Sequence, residues 1–174
     1  MLVRAQGGDR EAFRELVEQH EGAVFALLGR LLMARQGLVE DLAQETFLRV
    51  YTALPGFDRN GPARLRTWIL TIATRLALDE LKRRRPAQQP LPPDLAGDAR
   101  TDAGVERRAL GDAIARAVNQ LGPEQRAAFL LREQYGLEYV EIAVALSLDL
   151  GTVKSRISRA RAALRAALAE VKHG

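Results

Sequence analysis

Residues 136–168 read GLEYVEIAVALSLDLGTVKSRISRARAALRAAL. The pattern is two helices joined by a tight turn. Ile142, Ala143 and Leu146 recur at helical spacing over about Glu138 to Leu146. Ser147, Leu148 and Asp149 form the break. A second helix begins near Gly151 and Thr152 and runs past Leu164, with Val153, Ile157, Ala160 and Leu164 as its inner stripe. Lys154, Arg156, Arg159, Arg161 and Arg165 fall on its other faces, and no acidic residue stands between Leu150 and Arg165. A helix-turn-helix with a one-signed second helix suits a DNA major groove. Thr152 and Ser155 stand at its N-terminal end, where side chains reach base edges and backbone N–H groups favour phosphate. An amphipathic hairpin with a solvated basic face would share the periodicity. The short turn and the single sign of charge favour DNA.

The totals narrow the setting. At 174 residues the chain holds one domain or two small ones. A hydrophobic share of 47% builds a core, and an aromatic share of 5% among many Ala, Leu and Arg residues favours an all-α fold over a sandwich. There is no Cys, so disulfides, thiolate zinc sites and thiol switches are excluded. His20 and His173 are the only histidines and lie at opposite ends, which argues against a histidine metal site or a Ser/His triad. No metal, cofactor or catalytic residue is expected. No apolar run reaches membrane-spanning length and no signal-peptide pattern appears, so a cytoplasmic protein without membrane insertion is expected. The net charge of +4 is modest, so the placement of charge matters more than its sum.

Upstream, the periodicity predicts a helix from the N-cap Asp9, with Ala12, Phe13, Leu16 and Val17 buried. A second helix is expected from about Glu21 to Ala34 with Val24, Phe25, Leu28, Leu31 and Leu32 inward, and Gly37 as the break. The third spans about Val39 to Leu54. It buries Leu42, Ala43, Phe47, Val50, Tyr51 and Leu54, and carries Asp41, Gln44, Glu45 and Arg49 on a polar face. Pro55–Arg64 is a loop, and its Phe57 and Asn60 could stack on and hydrogen-bond an unstacked base; the plainer reading tucks Phe57 onto the core. A fourth helix, about Leu65 to Arg85, carries Leu65, Trp68, Ile69, Ile72, Ala73, Leu76 and Leu81 on its apolar side. Arg59, Arg64, Arg66, Arg75, Lys82, Arg83, Arg84 and Arg85 make this region an electrostatic footprint for phosphates.

Pro86–Gly104 changes character, with four of the seven prolines and few large apolar residues. It reads as a flexible linker between helical domains at 1–85 and 105–174. Its span reaches at most about 65 Å, so two tethered units could read sites about two helical turns apart on one duplex. Beyond it, Val105–Leu121 forms a helix with Leu110, Ile114, Ala117, Val118 and Leu121 inward, and Pro123–Gln134 forms another after the Gly122–Pro123 stop.

The order of these segments is recognisable. GDREAFRELVEQHEGAVFALLGRLL, VEDLAQETFLRVYTAL, RLRTWILTIATRLALDELKRRR, LGPEQRAAFLLREQYGLEYVEIAVAL and GTVKSRISRARAAL cover nearly the whole chain. Together, with a Pro-rich gap after the third, they resemble the sigma-70 family of bacterial RNA polymerase initiation factors, in its small extracytoplasmic-function (ECF) form. The resemblance implies a region 2-like N-terminal domain and a region 4-like helix-turn-helix domain. It makes Asp41, Gln44, Glu45 and Arg49 contacts to the clamp helices of the largest subunit of core RNA polymerase. It places Phe57, Asp58, Asn60, Arg64, Arg66, Trp68, Arg75, Lys82 and Arg83 at the promoter −10 element, with a base flipped into the loop from Phe57 to Arg64. It places Thr152, Lys154, Ser155, Arg156 and Arg159 at the −35 element, while the same domain meets the flap of the second-largest subunit. An anti-sigma factor that covers the polymerase-binding faces, and could hold the chain at the membrane, is implied as a further partner.

The chain departs from the family pattern in places. Asn is frequent where Arg75 stands, an acidic cap where Leu38 stands, and Gly where Ser147 stands. A cation in place of an amide at 75 would change the −10 preference. The chain starts almost at the first family helix, as if a few residues were missing, and no C-terminal sensor domain is expected. Two other functions compete. A stand-alone helix-turn-helix regulator would have no use for the N-terminal half. A nucleic-acid hydrolase would rest on Asp41 and Glu45 alone. Only an initiation factor uses every segment.

Overall fold

The computed structural model describes residues 1–61, 63–84 and 102–173, with side chains described outside 102–110 and 170–173. Among the described residues all regular structure is helical: α1 (Leu2–Gln6), α2 (Arg10–Leu31), α3 (Gln36–Ala53), α4 (Leu65–Arg83), α5 (Asp102–Gln120), α6 (Pro123–Glu133), α7 (Tyr139–Leu146) and α8 (Leu150–His173), plus a 3₁₀ turn at Leu54–Gly56. The all-α expectation holds.

Asp9 caps α2, its Oδ1 accepting the N–H groups of Glu11 and Ala12 at 3.0 Å each. Such a cap is worth about 1 kcal/mol. The two helices expected on either side of Glu21 are one 22-residue helix. Gly22 costs about 1 kcal/mol inside a helix, and the buried stripe of Leu16, Val24, Leu27, Leu28 and Leu31 outweighs it. Gly37 is not the break. It lies in the first turn of α3, and the chain reverses instead at Met33 and Ala34, both with positive φ (57° and 55°). The N–H of Ala34 closes that turn on the Gly29 carbonyl at 2.8 Å.

Helices α2, α3 and α4 pack on one another and α1 lies against α2. In the C-terminal half, α5 and α6 pack on α8, and α7 fills the angle between α6 and α8. The inner stripe of α8 is as expected: Val153, Ile157, Ala160 and Leu164 are all buried. Three of the described residues expected inside are not: Phe25, Tyr51 and Ile114 are exposed, while the side chain of Leu110 lies outside the described ones. Ala113 takes the buried place beside Ile114, and Leu27 takes that of Phe25. A helix can turn either of two adjacent stripes inward, and the facing helix selects one.

The expected linker at 86–104 lies outside the described residues up to 101, while Asp102–Gly104 already belong to α5. The two halves touch. Helix α7 lies on α4, α6 touches α2 and α4, and the buried apolar residues of both halves form one connected cluster. Among the described residues Arg126 is the most buried cation, at 3% exposure. Its guanidinium donates to the carbonyls of Val118 (3.2 Å), Asn119 (2.9 Å) and Leu121 (2.9 Å) at the end of α5, and to Leu31 at the end of α2 (2.9 Å). These are carbonyls that a helix C-terminus leaves without intrahelical donors.

Candidate nucleic-acid interface

The helix-turn-helix is fixed at each corner. Glu138 and Glu141 form a capping box at the start of α7, with the Glu138 N–H donating to Glu141 Oε2 at 2.7 Å. Ser147 ends α7 in the left-handed region (φ 55°), where glycine would be strain-free. Asp149 then opens α8. Its carboxylate accepts the Thr152 N–H at 2.8 Å and the Thr152 hydroxyl at 2.5 Å. Those bonds hold the Asp149 carboxyl below its ordinary range.

At 3.6 residues per turn, Thr152, Ser155, Arg156 and Arg159 fall within an arc of about 100° on α8, to one side of the buried stripe. Lys154 lies outside that arc. Thr152 donates its hydroxyl to Asp149, and Ser155 donates its own to the Thr152 carbonyl at 2.9 Å, so both present acceptor lone pairs outward. Arg159 and Lys154 are exposed with no acidic partner among the described residues. Arg156 is paired with Glu124 at 2.6 Å, and Arg161 with Glu133 at 2.5 Å.

The second basic surface lies on and around α4. Gln6 of α1 anchors the preceding loop, its amide donating to the carbonyls of Leu54 (3.1 Å) and Phe57 (2.7 Å). The Phe57 ring rests on Trp68 at 4.9 Å between centroids and is half-buried. Asp58 accepts the Asn60 N–H at 2.9 Å, which leaves the Asn60 amide side chain exposed at the loop tip. Arg64 precedes the first turn of α4 and is exposed. Arg83 and Arg84 both pair with the buried Glu80. Arg66, Arg75 and Lys82 face the C-terminal half. The Arg66 guanidinium sits 5.5 Å from the centre of the Tyr135 ring. Arg75 donates to the carbonyls of Val144 (2.6 Å) and Ala145 (2.9 Å), and Lys82 lies 3.9 Å from Glu124.

A third surface lies between α2 and α3. Asp41 and Gln44 are exposed, and Arg49 donates to Glu45 at 2.6 Å. Beside them runs an open groove lined by Phe13, Val17, Phe25, Phe47, Leu48 and Tyr51. Leu48 is 63% exposed, Tyr51 46% and Phe25 41%. Sequence periodicity pointed Phe25 and Tyr51 inward, and so missed the apolar part of this surface.

The chain has relatives among known proteins. Residues 16–87 match the family described as Sigma-70 region 2, and residues 111–164 match Sigma-70, region 4. The RNA polymerase sigma-H factor of Pseudomonas aeruginosa is 34% identical over 180 residues, an alignment covering 97% of this chain and 92% of that protein. The chain belongs to the sigma-70 family. Among its ECF members, the ECF RNA polymerase sigma factor SigE of Mycolicibacterium smegmatis is 39% identical over 171 residues, covering 94% of this chain. This sigma factor spans 65% of the length of that relative. A solved structure of the sigma factor RpoE from Bartonella quintana, in complex with the anti-sigma factor NepR, shares the fold with a TM-score of 0.71. It covers 91% of this chain and 97% of its own, at 23% identity.

Proposed function

We propose that this sigma factor is a dissociable initiation factor that binds bacterial core RNA polymerase and directs it to specific promoters. The observation that carries the reading is the presence, on one chain and in order, of region 2 and region 4. Each region brings a basic helix, α4 and α8. A stand-alone regulator would use only the second, and it is not favoured.

Residues 1–85 act as the polymerase-docking and −10-reading domain, residues 105–174 as the −35-reading domain, and 86–104 as the tether. On α3, Asp41, Gln44, Glu45 and Arg49 form the polar rim of the contact with the clamp helices, and the exposed Leu48 and Tyr51 add its apolar centre. An apolar centre with a polar rim is the usual anatomy of a protein interface. Asn60 and Asp58 meet an unstacked base at the loop tip. Trp68 supports Phe57 from below, so that ring is braced for stacking. Arg64, Arg66, Arg75, Lys82 and Arg83 take phosphates and base edges of the −10 element. Thr152, Ser155, Arg156 and Arg159 read the −35 element from one face of α8, and Lys154 takes a backbone phosphate to the side.

The reading asks for no bond-making chemistry. Strand opening follows from binding that prefers unstacked to stacked bases. The factor works in the cytoplasm, and among the described residues no helix is long and apolar enough to cross a membrane. An anti-sigma factor controls it by covering the α2/α3 face. With no Cys in the chain, any thiol sensing resides in that partner.

The test is co-elution with sigma-free core polymerase on gel filtration. The full chain is expected to co-elute. Leu48→Asp is expected to weaken that association at least about tenfold, as loss of an interface centre does. Co-elution that Leu48→Asp leaves unchanged would sink the assignment of this face.

A further inference from the structure

We propose that the free chain is self-covered: helix α7 of the C-terminal half lies on the −10-reading helix α4 and must be parted from it before a promoter can be read. The proposal rests on the reading of α4 and α8 given above. Of the five proposed −10 cations, Arg64, Arg66, Arg75, Lys82 and Arg83, three are engaged by the C-terminal half. Arg75 caps the C-terminal carbonyls of α7, Val144 at 2.6 Å and Ala145 at 2.9 Å. Arg66 stacks over Tyr135, whose hydroxyl donates to the Ala23 carbonyl of α2 at 2.9 Å. Lys82 faces Glu124. Next to Arg66 in the chain, the Thr67 hydroxyl reaches Glu141 at 3.3 Å. A phosphate or base edge would compete for these same donors.

Glu124 makes the geometry decisive. Its carboxylate holds Lys82 of α4 and Arg156 of α8 together, at 3.9 and 2.6 Å. The two proposed DNA-reading helices are therefore pinned to one side chain, which brings two of their cations within about 10 Å of each other. Elements about two helical turns apart, roughly 20 base pairs, lie about 70 Å apart on B-DNA at about 3.4 Å per base pair. The closed chain cannot reach both. Arg75, which stands where the family pattern often has Asn, is the latch residue: its fork fits two helix-end carbonyls and an amide's would not reach both with the same charge.

The absence of Cys makes the test clean. The full chain carrying Thr67→Cys and Glu141→Cys is joined with a bis-maleimide whose tether is cleaved by reductant. The free chain is expected to crosslink rapidly, and core polymerase to slow that at least tenfold. The joined chain is expected to give under a tenth of the promoter-specific transcripts of the uncrosslinked double variant, and cleavage to restore them. Adding Arg75→Ala is expected to slow crosslinking of the free chain several-fold. A joined chain as active as the cleaved one, or a crosslinking rate indifferent to polymerase and to Arg75→Ala, overturns the proposal. Failure of the unaltered chain to direct any transcript would instead overturn the initiation-factor reading. Small-angle scattering of the unaltered chain needs no substitution. A closed chain of this length has a radius of gyration of about 16 Å, and a value well above 20 Å would also refute self-covering.

Discussion

Arg126→Met is the substitution with the largest expected effect on stability. The side chain is 3% exposed and its guanidinium serves four carbonyls, three at the end of α5 and one at the end of α2. Burial alone pulls its pKa down from the ordinary arginine value, yet the group stays charged. Methionine keeps much of the volume and removes every donor. The Val118 carbonyl keeps the Leu121 N–H at 3.1 Å, so three carbonyls lose their donor at about 1 to 3 kcal/mol each, and the guanidinium's own desolvation cost is recovered. With partial rehydration of the α5 end, the net loss is about 3 to 5 kcal/mol. Arg126→Lys keeps the charge but has three donors on one atom and cannot span two helix ends, so it should lose about 1 to 3 kcal/mol. Urea denaturation followed by circular dichroism reads both variants against the parent. A methionine variant within about 1 kcal/mol of the parent would refute the reasoning.

Other outcomes follow from particular contacts. Asp149→Ala removes the cap of α8, and should reduce −35 duplex binding several-fold while leaving polymerase binding intact, read by fluorescence anisotropy and gel filtration. Since Thr152 holds the Asp149 carboxyl below its ordinary range, the cap's contribution is present above the unfolded carboxyl's value and disappears as pH falls through the lower folded one. An NMR titration of Asp149 that showed an ordinary carboxyl value would contradict this. His20 is buried, with Arg66 nearby, and both hold its imidazole below its ordinary value of 6.5. The folded chain therefore binds fewer protons than the unfolded one in that window, so stability is full above 6.5 and declines as pH falls through the lower folded value. His20→Gln should flatten that part of the pH–stability curve, and an unchanged slope would show that other groups cause it.

Much of the fold can be read from the sequence because its signals are local. Asp9 before an amphipathic run, Gly122–Pro123 between two others, and the steps of Val153, Ile157, Ala160 and Leu164 each have one reading, and the structure agrees with each. The errors come where a neighbour decides. Nothing local says that α2 continues through Gly22, or that Met33 and Ala34 take the strained turn while Gly37 starts a helix. Phe25 and Tyr51 are apolar at helical spacing, and only the placement of α2 against α3 leaves them on the outside. That exposure is what the proposed polymerase-docking face rests on, and periodicity gives no sign of it. Arg126 gave no local signal either, because its four acceptors are carbonyls at the ends of two helices, one of them 95 positions away. The two basic helices were legible as charge, whereas the pairing of Arg75 and Lys82 across the two halves, and of Arg156 with the same Glu124 that faces Lys82, required the tertiary structure.

The most direct measurement of the central claim is run-off transcription by sigma-free core polymerase on fragmented genomic DNA, with and without the full chain. Discrete start sites are expected only with the chain, preceded by two shared elements about two helical turns apart. No new starts, with the chain still binding DNA by itself, would contradict the account and leave a stand-alone regulator.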